Sequence, residues 1–98
     1  MSVISRISTS ALDAYGLKQA VTANNIANVN TPDFKASDTV MKENKGGGVY
    51  AEVRQGIDSV DISKEAFDLM NTSTNYKANL KTFNIADDMF KSVLDMVK

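Results

Sequence analysis

The sequence predicts a mainly α fold: long N- and C-terminal helices packed as a coiled-coil-like hairpin, with a short β-hairpin or loop insert between them. Three observations carry that reading. Apolar residues recur at steps of three and four over both ends of the 98-residue chain. The period vanishes in the middle, where strand-like alternation accompanies Gly46-Gly47-Gly48. Pro32 then breaks the first helix, because it pushes Thr31 away from the α region. The chain divides accordingly into an N-terminal helix (1–30), an insert (31–60) and a C-terminal helix (61–98), the two helices making one discontinuous domain.

The first helix is expected from about Ser2 to Val29. Val3, Ile7, Ala11, Ala14, Leu17 and Val21 form its apolar stripe, widened by Ile4 and Ala20. Ser5, Thr9, Asp13, Gln19 and Thr22 are assigned to the outer face. Many of these are weak helix formers, and Gly16 costs about 1 kcal/mol relative to Ala. Such a helix is marginal alone and forms against a partner. Ala11 and Ala14 favour a partner that approaches closely.

In the insert, Val49, Ala51 and Val53 alternate with Tyr50, Glu52 and Arg54, and Thr39-Val40-Met41 is the candidate pairing strand. The glycine triplet between them permits a tight or a floppy turn. A ribbon of this size needs something to lie on.

The second helix is expected from about Asp61 to Val97. Ile62, Ala66, Leu69, Ser73, Tyr76, Leu80, Phe83, Asp87, Phe90, Leu94 and Val97 step by three and four. The spacing is near a seven-residue repeat, the habit of coiled coils. Asp61 or Ser63 suits the N-cap, Glu65 the first turn and Lys98 the last. At 1.5 Å per residue the helix would run roughly 55 Å. The seam between the helices is assigned to Ile7, Ala14, Leu17 and Val21 on the first, and to Leu69, Tyr76, Leu80, Phe83, Asp87, Phe90 and Leu94 on the second. Two such helices cannot enclose a deep core, and the stripe is wide enough to leave apolar surface for neighbours.

Composition argues against several classes of function. A formal net charge of −1 gives no reason to expect a nucleic-acid or anionic-membrane partner. No stretch approaches the roughly 18 apolar residues of a membrane span. Cysteine and histidine are absent, which removes disulfides, thiolate nucleophiles and the commonest metal ligand. Asp87-Asp88 has no third acidic residue at metal spacing, and the glycine triplet lacks the lysine and hydroxyl residue of a phosphate loop. The stripe of Met70, Phe83, Met89 and Phe90 reads as packing rather than a cofactor pocket. No enzyme activity, metal or cofactor is expected. The start Met1–Arg6 lacks the charged n-region and apolar h-region of a cleaved secretory signal.

The most informative stretch is Ala23-Asn24-Asn25-Ile26-Ala27-Asn28-Val29-Asn30-Thr31-Pro32-Asp33-Phe34-Lys35. Asparagine competes for nearby backbone groups and favours caps and turns. Ala23, Asn24, Asn25, Ile26, Ala27, Asn28, Asn30, Thr31, Phe34 and Lys35 resemble the signature of bacterial flagellar rod, hook and hook-associated proteins. Position 33 is commonly Gly there; Asp33 keeps a positive φ accessible. Ser59–Glu65, then Tyr76-x-Ala78-Asn79, Ala86-Asp87-x-Met89 and Leu94, are similar to the family's C-terminal helix, although Thr74 and Asn75 stand where it usually has a basic residue.

The resemblance implies an axial structural subunit. Its terminal helices would form the inner tube of a hollow, helically stacked rod, alongside copies of itself and other flagellar rod proteins. It would cross the inner membrane through the flagellar type III export apparatus without a cleaved signal peptide and reside in the periplasmic rod of the basal body. The short insert points to a minimal proximal-rod subunit. Ala23–Lys35, including Pro32, would be the subunit-packing motif, with Asn24, Asn25, Asn28 and Asn30 bonding backbone groups at the junction. A competing expectation is a cytosolic helical-hairpin adaptor or flagellar export chaperone, which leaves the Asn-rich signature unexplained.

Overall fold

The computed structural model describes residues 3–97. Its elements are α1 (Val3–Ala27), β1 (Ser37–Glu43), β2 (Val49–Gln55) and α2 (Ile62–Met96). The architecture is the expected one, two long helices packed on each other with a small antiparallel β-hairpin between them in sequence. The expected helix start at Ser2 and the closing charge of Lys98 lie outside the described residues.

α1 ends at Ala27, two residues short of the expected Val29. The cause is local. Asn28 N donates to both Asn24 O (3.2 Å) and Asn25 O (3.1 Å), and Val29 N reaches only to Ile26 O at 3.2 Å, so the helix tightens into a turn. α2 begins at Asp61, an extended N-cap whose carboxylate accepts from Ser63 N and Lys64 N at 3.1 and 3.2 Å.

The hairpin pairs Ser37 with Gln55 through Glu43 with Val49. Its turn is tight rather than floppy: Gly47 N donates to Asn44 O and Asn44 N to Gly48 O, both at 3.0 Å. Gly47 and Gly48 hold φ of 95° and 86°, which side-chain-bearing residues rarely adopt. At the other end Ala36 O accepts from Gly56 N while Ala36 N donates to Asp58 O. Ile57 is looped out between them as a bulge and is 86% exposed.

α1 is the element that all the others touch: α2 on one side, both strands on another. The helices run antiparallel. Asn25 meets Glu65 at one end, while Ile4 gathers with Ile85, Met89, Phe90 and Val93 at the other. Every residue of α2 from Lys91 to Val97 is exposed. The molecule is correspondingly long and thin, 62 × 25 × 14 Å.

Among the described residues the only buried apolar side chains are Ala11 and Ala14. The other buried positions are polar: Ser5, Ser8, Thr22, Asn25, Glu65 and Thr72. Ser5 and Thr22 therefore correct the assignment of an outer face, being 4% and 3% exposed. The reason is that α1 has two covered flanks. The hairpin tip lies on Ile7 and Ser10, while the side that carries Gly16, Gln19 and Ala23 faces Ser73 and Tyr76 of α2. The buried arc therefore spans more than the aliphatic stripe and takes in small polar residues.

Candidate subunit-packing site

The Asn-rich stretch sits where α1, β1 and the first turn of α2 converge. Asn25, on the last turns of α1, is 1% exposed. Its Nδ2 donates to Ser37 O at 2.7 Å, and its Oδ1 accepts from Ser37 N at 3.0 Å. The amide thus imitates a strand and satisfies both backbone groups of the first residue of β1. The same Nδ2 donates to Glu65 Oε1 at 3.1 Å. One side chain therefore ties three elements together, and Glu65, 2% exposed, has its carboxylate bonded inside the junction.

Asn28 works locally. Its Nδ2 donates to Asn24 O at 2.9 Å, its Oδ1 accepts from Thr31 Oγ1 at 3.0 Å, and its carbonyl accepts from Thr31 N at 3.0 Å. Phe34 N then donates to Thr31 O at 3.3 Å. Asp33 between them holds φ at 62°, the left-handed conformation expected of that position. The stretch has two sides. Asn25 is buried, and Ile26, Asn28 and Phe34 are half-buried. Ala23, Asn24, Ala27, Asn30, Thr31, Pro32 and Lys35 face solvent.

Of the seam residues, Ala14 is buried, and Val21, Leu69, Phe83 and Asp87 are half-buried. Leu17, Tyr76, Leu80, Phe90 and Leu94 are 39–44% exposed, and Ile7, at 40%, lies against the hairpin tip at Gly47. Tyr76 lines an open groove of about 430 Å³ with Gly16, Gln19, Ala20, Ala23 and Ser73. Asp87 pairs with Lys91 at 3.1 Å on its own helix, and Asp88 is exposed.

Two polar ties escape a reading of the sequence. Glu65 belongs to the Asn25 junction, forty residues away, and no local pattern separates an inward carboxylate in a first helical turn from an outward one. Ser10 accepts from Val49 N at 3.1 Å, and Arg6 Nη2 donates to Gly46 O at 3.3 Å, seating the hairpin tip on α1. At the hairpin base Lys64 bridges Asp38 and Asp68, 3.1 Å from each, and the bond to Asp68 followed by that to Asp38 holds its ammonium above the ordinary lysine range. Among the described residues there is no group of three or more potential metal ligands, and no helix is long and apolar enough to cross a membrane.

The arrangement can hold two helices and a ribbon in fixed relation, and the charged groups lining the clefts at the hairpin base, Asp38, Lys64 and Asp68, are bonded to one another. Such a site ties both helices to the ribbon and leaves Ala23, Asn24, Ala27, Asn30, Thr31, Pro32 and Lys35 exposed. Two family models match the chain: flagella basal body rod protein over residues 6–35, and flagellar basal body rod FlgEFG protein C-terminal over residues 59–96. Together they take in α1 with the Asn-rich turn and nearly all of α2, about two thirds of the sequence. The chain belongs to the flagellar basal-body rod proteins. These families are structural rod proteins, not enzymes, and membership implies the basal body as location and other rod components as partners. A comparison with curated proteins finds no match.

Proposed function

We propose that the chain is a proximal-rod subunit that assembles helically, with copies of itself and other rod proteins, into the hollow drive shaft after export unfolded through the flagellar type III apparatus. The observation that carries this reading is the apolar surface left uncovered on both helices. Val3, Ile4, Phe67, Met70, Met89 and Val93 are each 56–72% exposed. Ile4, Met89 and Val93 gather at one end of the helix pair, and an exposed apolar cluster of this kind suits a subunit completed by its neighbours. The insert is one hairpin rather than a further domain, which favours a minimal proximal type. Tyr76-Lys77-Ala78-Asn79 and Phe83-Asn84 favour the type called rod protein C.

Ala23–Lys35 would set how each helix pair meets the next, with its exposed half offered to the adjacent subunit. The test is a double substitution, Asn25→Ala with Asn28→Ala, in a motile strain. Unchanged expression with lost swimming and no chain in detergent-extracted basal bodies supports the proposal. Normal swimming by that variant, or a wild-type chain confined to the cytoplasmic fraction, overturns it and favours an adaptor or chaperone.

A further inference from the structure

The hairpin has an open edge with a pattern of its own. Antiparallel pairing sends the backbone groups of alternate residues to opposite sides of each strand. Asn44 N bonds Gly48 O and Gly56 N bonds Ala36 O, so the even-numbered residues pair within the hairpin. The odd-numbered residues direct their N–H and C=O outward. α1 engages two of them, Ser37 through Asn25 and Val49 through Ser10. It thus crosses the hairpin on the diagonal, closing the β1 edge at the base and the β2 edge at the tip. α2 approaches from the β1 side, where Lys64 reaches Asp38. Among the described residues the outward backbone groups of Thr39, Met41 and Glu43 on β1 and of Ala51, Val53 and Gln55 on β2 have no hydrogen-bond partner, and the β2 edge is the one turned away from α2. No proline guards it, and Val53 is 46% exposed.

We propose that this edge pairs with the same edge of a second copy, antiparallel and centred on Val53, to form a four-stranded sheet about a two-fold axis. The register follows from charge. With Val53 opposite Val53, Ala51 faces Gln55 of the second copy, and these outward-pointing residues form the hydrogen-bonded pairs. The intervening pairs then set Glu52 opposite Arg54 of the second copy, twice by symmetry. The two nearest registers that keep the same hydrogen-bonding residues place Glu52 opposite Glu52 or Arg54 opposite Arg54. Directly opposed like charges disfavour both, whereas opposite charges favour the central register. That register also brings the bulged Ile57 level with Val49 of the second copy. Two-fold pairing closes on itself, so it belongs to the free chain rather than to one-way stacking, and it does not rest on the rod assignment.

The chain has no cysteine, so single cysteines report the register cleanly. Residues in a hydrogen-bonded antiparallel pair stand about 5.5 Å apart at Cα, within the range a disulfide spans. Under mild oxidation of the full chain at micromolar concentration, Val53→Cys should link into a dimer. Ala51→Cys or Gln55→Cys alone should link at least roughly tenfold less, because each lies several residues from its own copy. Mixing those two variants should restore the link. Arg54→Glu should suppress linking through Val53→Cys, and adding Glu52→Arg should restore it, a rescue that mere structural support does not produce. In sedimentation, wild type should show a dimer that Val53→Pro abolishes, since proline removes an outward N–H that the hairpin itself does not use. Equal linking at all three positions overturns the proposal. So does the absence of linking at Val53 together with concentration-independent sedimentation of wild type.

Discussion

At the scale of single residues, most of the buried side chains among the described residues are polar rather than aliphatic. Asn25 shows how much one side chain carries: it supplies both hydrogen bonds that Ser37 would otherwise seek from a strand, and a donor to a buried carboxylate. Asn25→Ala strands those groups, and an orphaned buried polar group costs roughly 1–3 kcal/mol. Urea unfolding followed by circular dichroism should show a loss of about that size, whereas Asn24→Ala, on the exposed side, should stay within about 0.5 kcal/mol of wild type. Asn25→Asp keeps the shape but sets a second carboxylate beside Glu65. Its deficit should exceed that of Asn25→Ala in the same urea series, because two carboxylates then meet in a buried site where an amide donor had joined one to the strand. The sequence made the Asn-rich turn and the positive φ at Asp33 legible, because both follow from local backbone preferences. It did not reveal Glu65 as the partner, because that contact depends on where α2 returns in space.

At the scale of elements, the hairpin is a strut stitched to α1 at both ends, and its weak point is the tip. A Cβ added at Gly48 would run into Ser10 Oγ on a backbone with φ of 86°. A Cβ at Gly46 meets nothing within 4 Å, and that residue has no positive φ. Gly48→Ala should therefore destabilise by at least about 1–2 kcal/mol, the cost of a left-handed backbone alone, while Gly46→Ala should be near neutral. On the ribbon's outer face Lys42 bonds Glu52 at 2.9 Å and holds its carboxyl below the ordinary 4.5. A depressed carboxylate contributes stability that is present above its unfolded value and lost as pH falls through the lowered one. Any advantage of wild type over Glu52→Gln should thus be full at neutral pH, begin to fall near the ordinary 4.5 and vanish only below the lowered value, read by unfolding the two chains across a pH series. Both strands and both helices were legible from periodicity, and the Asp61 cap from residue type. The exposure of Ser5 and Thr22 was not, since a single-stripe pattern cannot show that α1 has two covered flanks.

At the scale of the whole molecule, the question is what the exposed apolar surface does when no neighbour is present. α1 is braced by α2 and by the hairpin, through the Asn25 junction at one end and the Ser10 contact at the other. The last turns of α2 have no such brace. From Lys91 onward every residue is exposed, with Val93 at 56%, Leu94 at 44% and Met96 at 83%. An exposed helix end frays in water, because the single hydrogen bond each terminal residue adds barely offsets the entropy of ordering it. The free chain should therefore lose helix from its C-terminal end first and regain it when a neighbour covers that surface. Amide hydrogen exchange at a series of concentrations separates the two ends. In dilute chain, amides of residues 90–97 should exchange close to the unfolded rate, while those around Asn25 and Glu65 stay protected. Protection of the C-terminal amides should rise with concentration in step with larger species in sedimentation, and far-UV helicity should rise with it. A concentration-independent pattern with residues 90–97 already protected would mean that this end of the helix is stable by itself, and completion by neighbours would then not be what forms it.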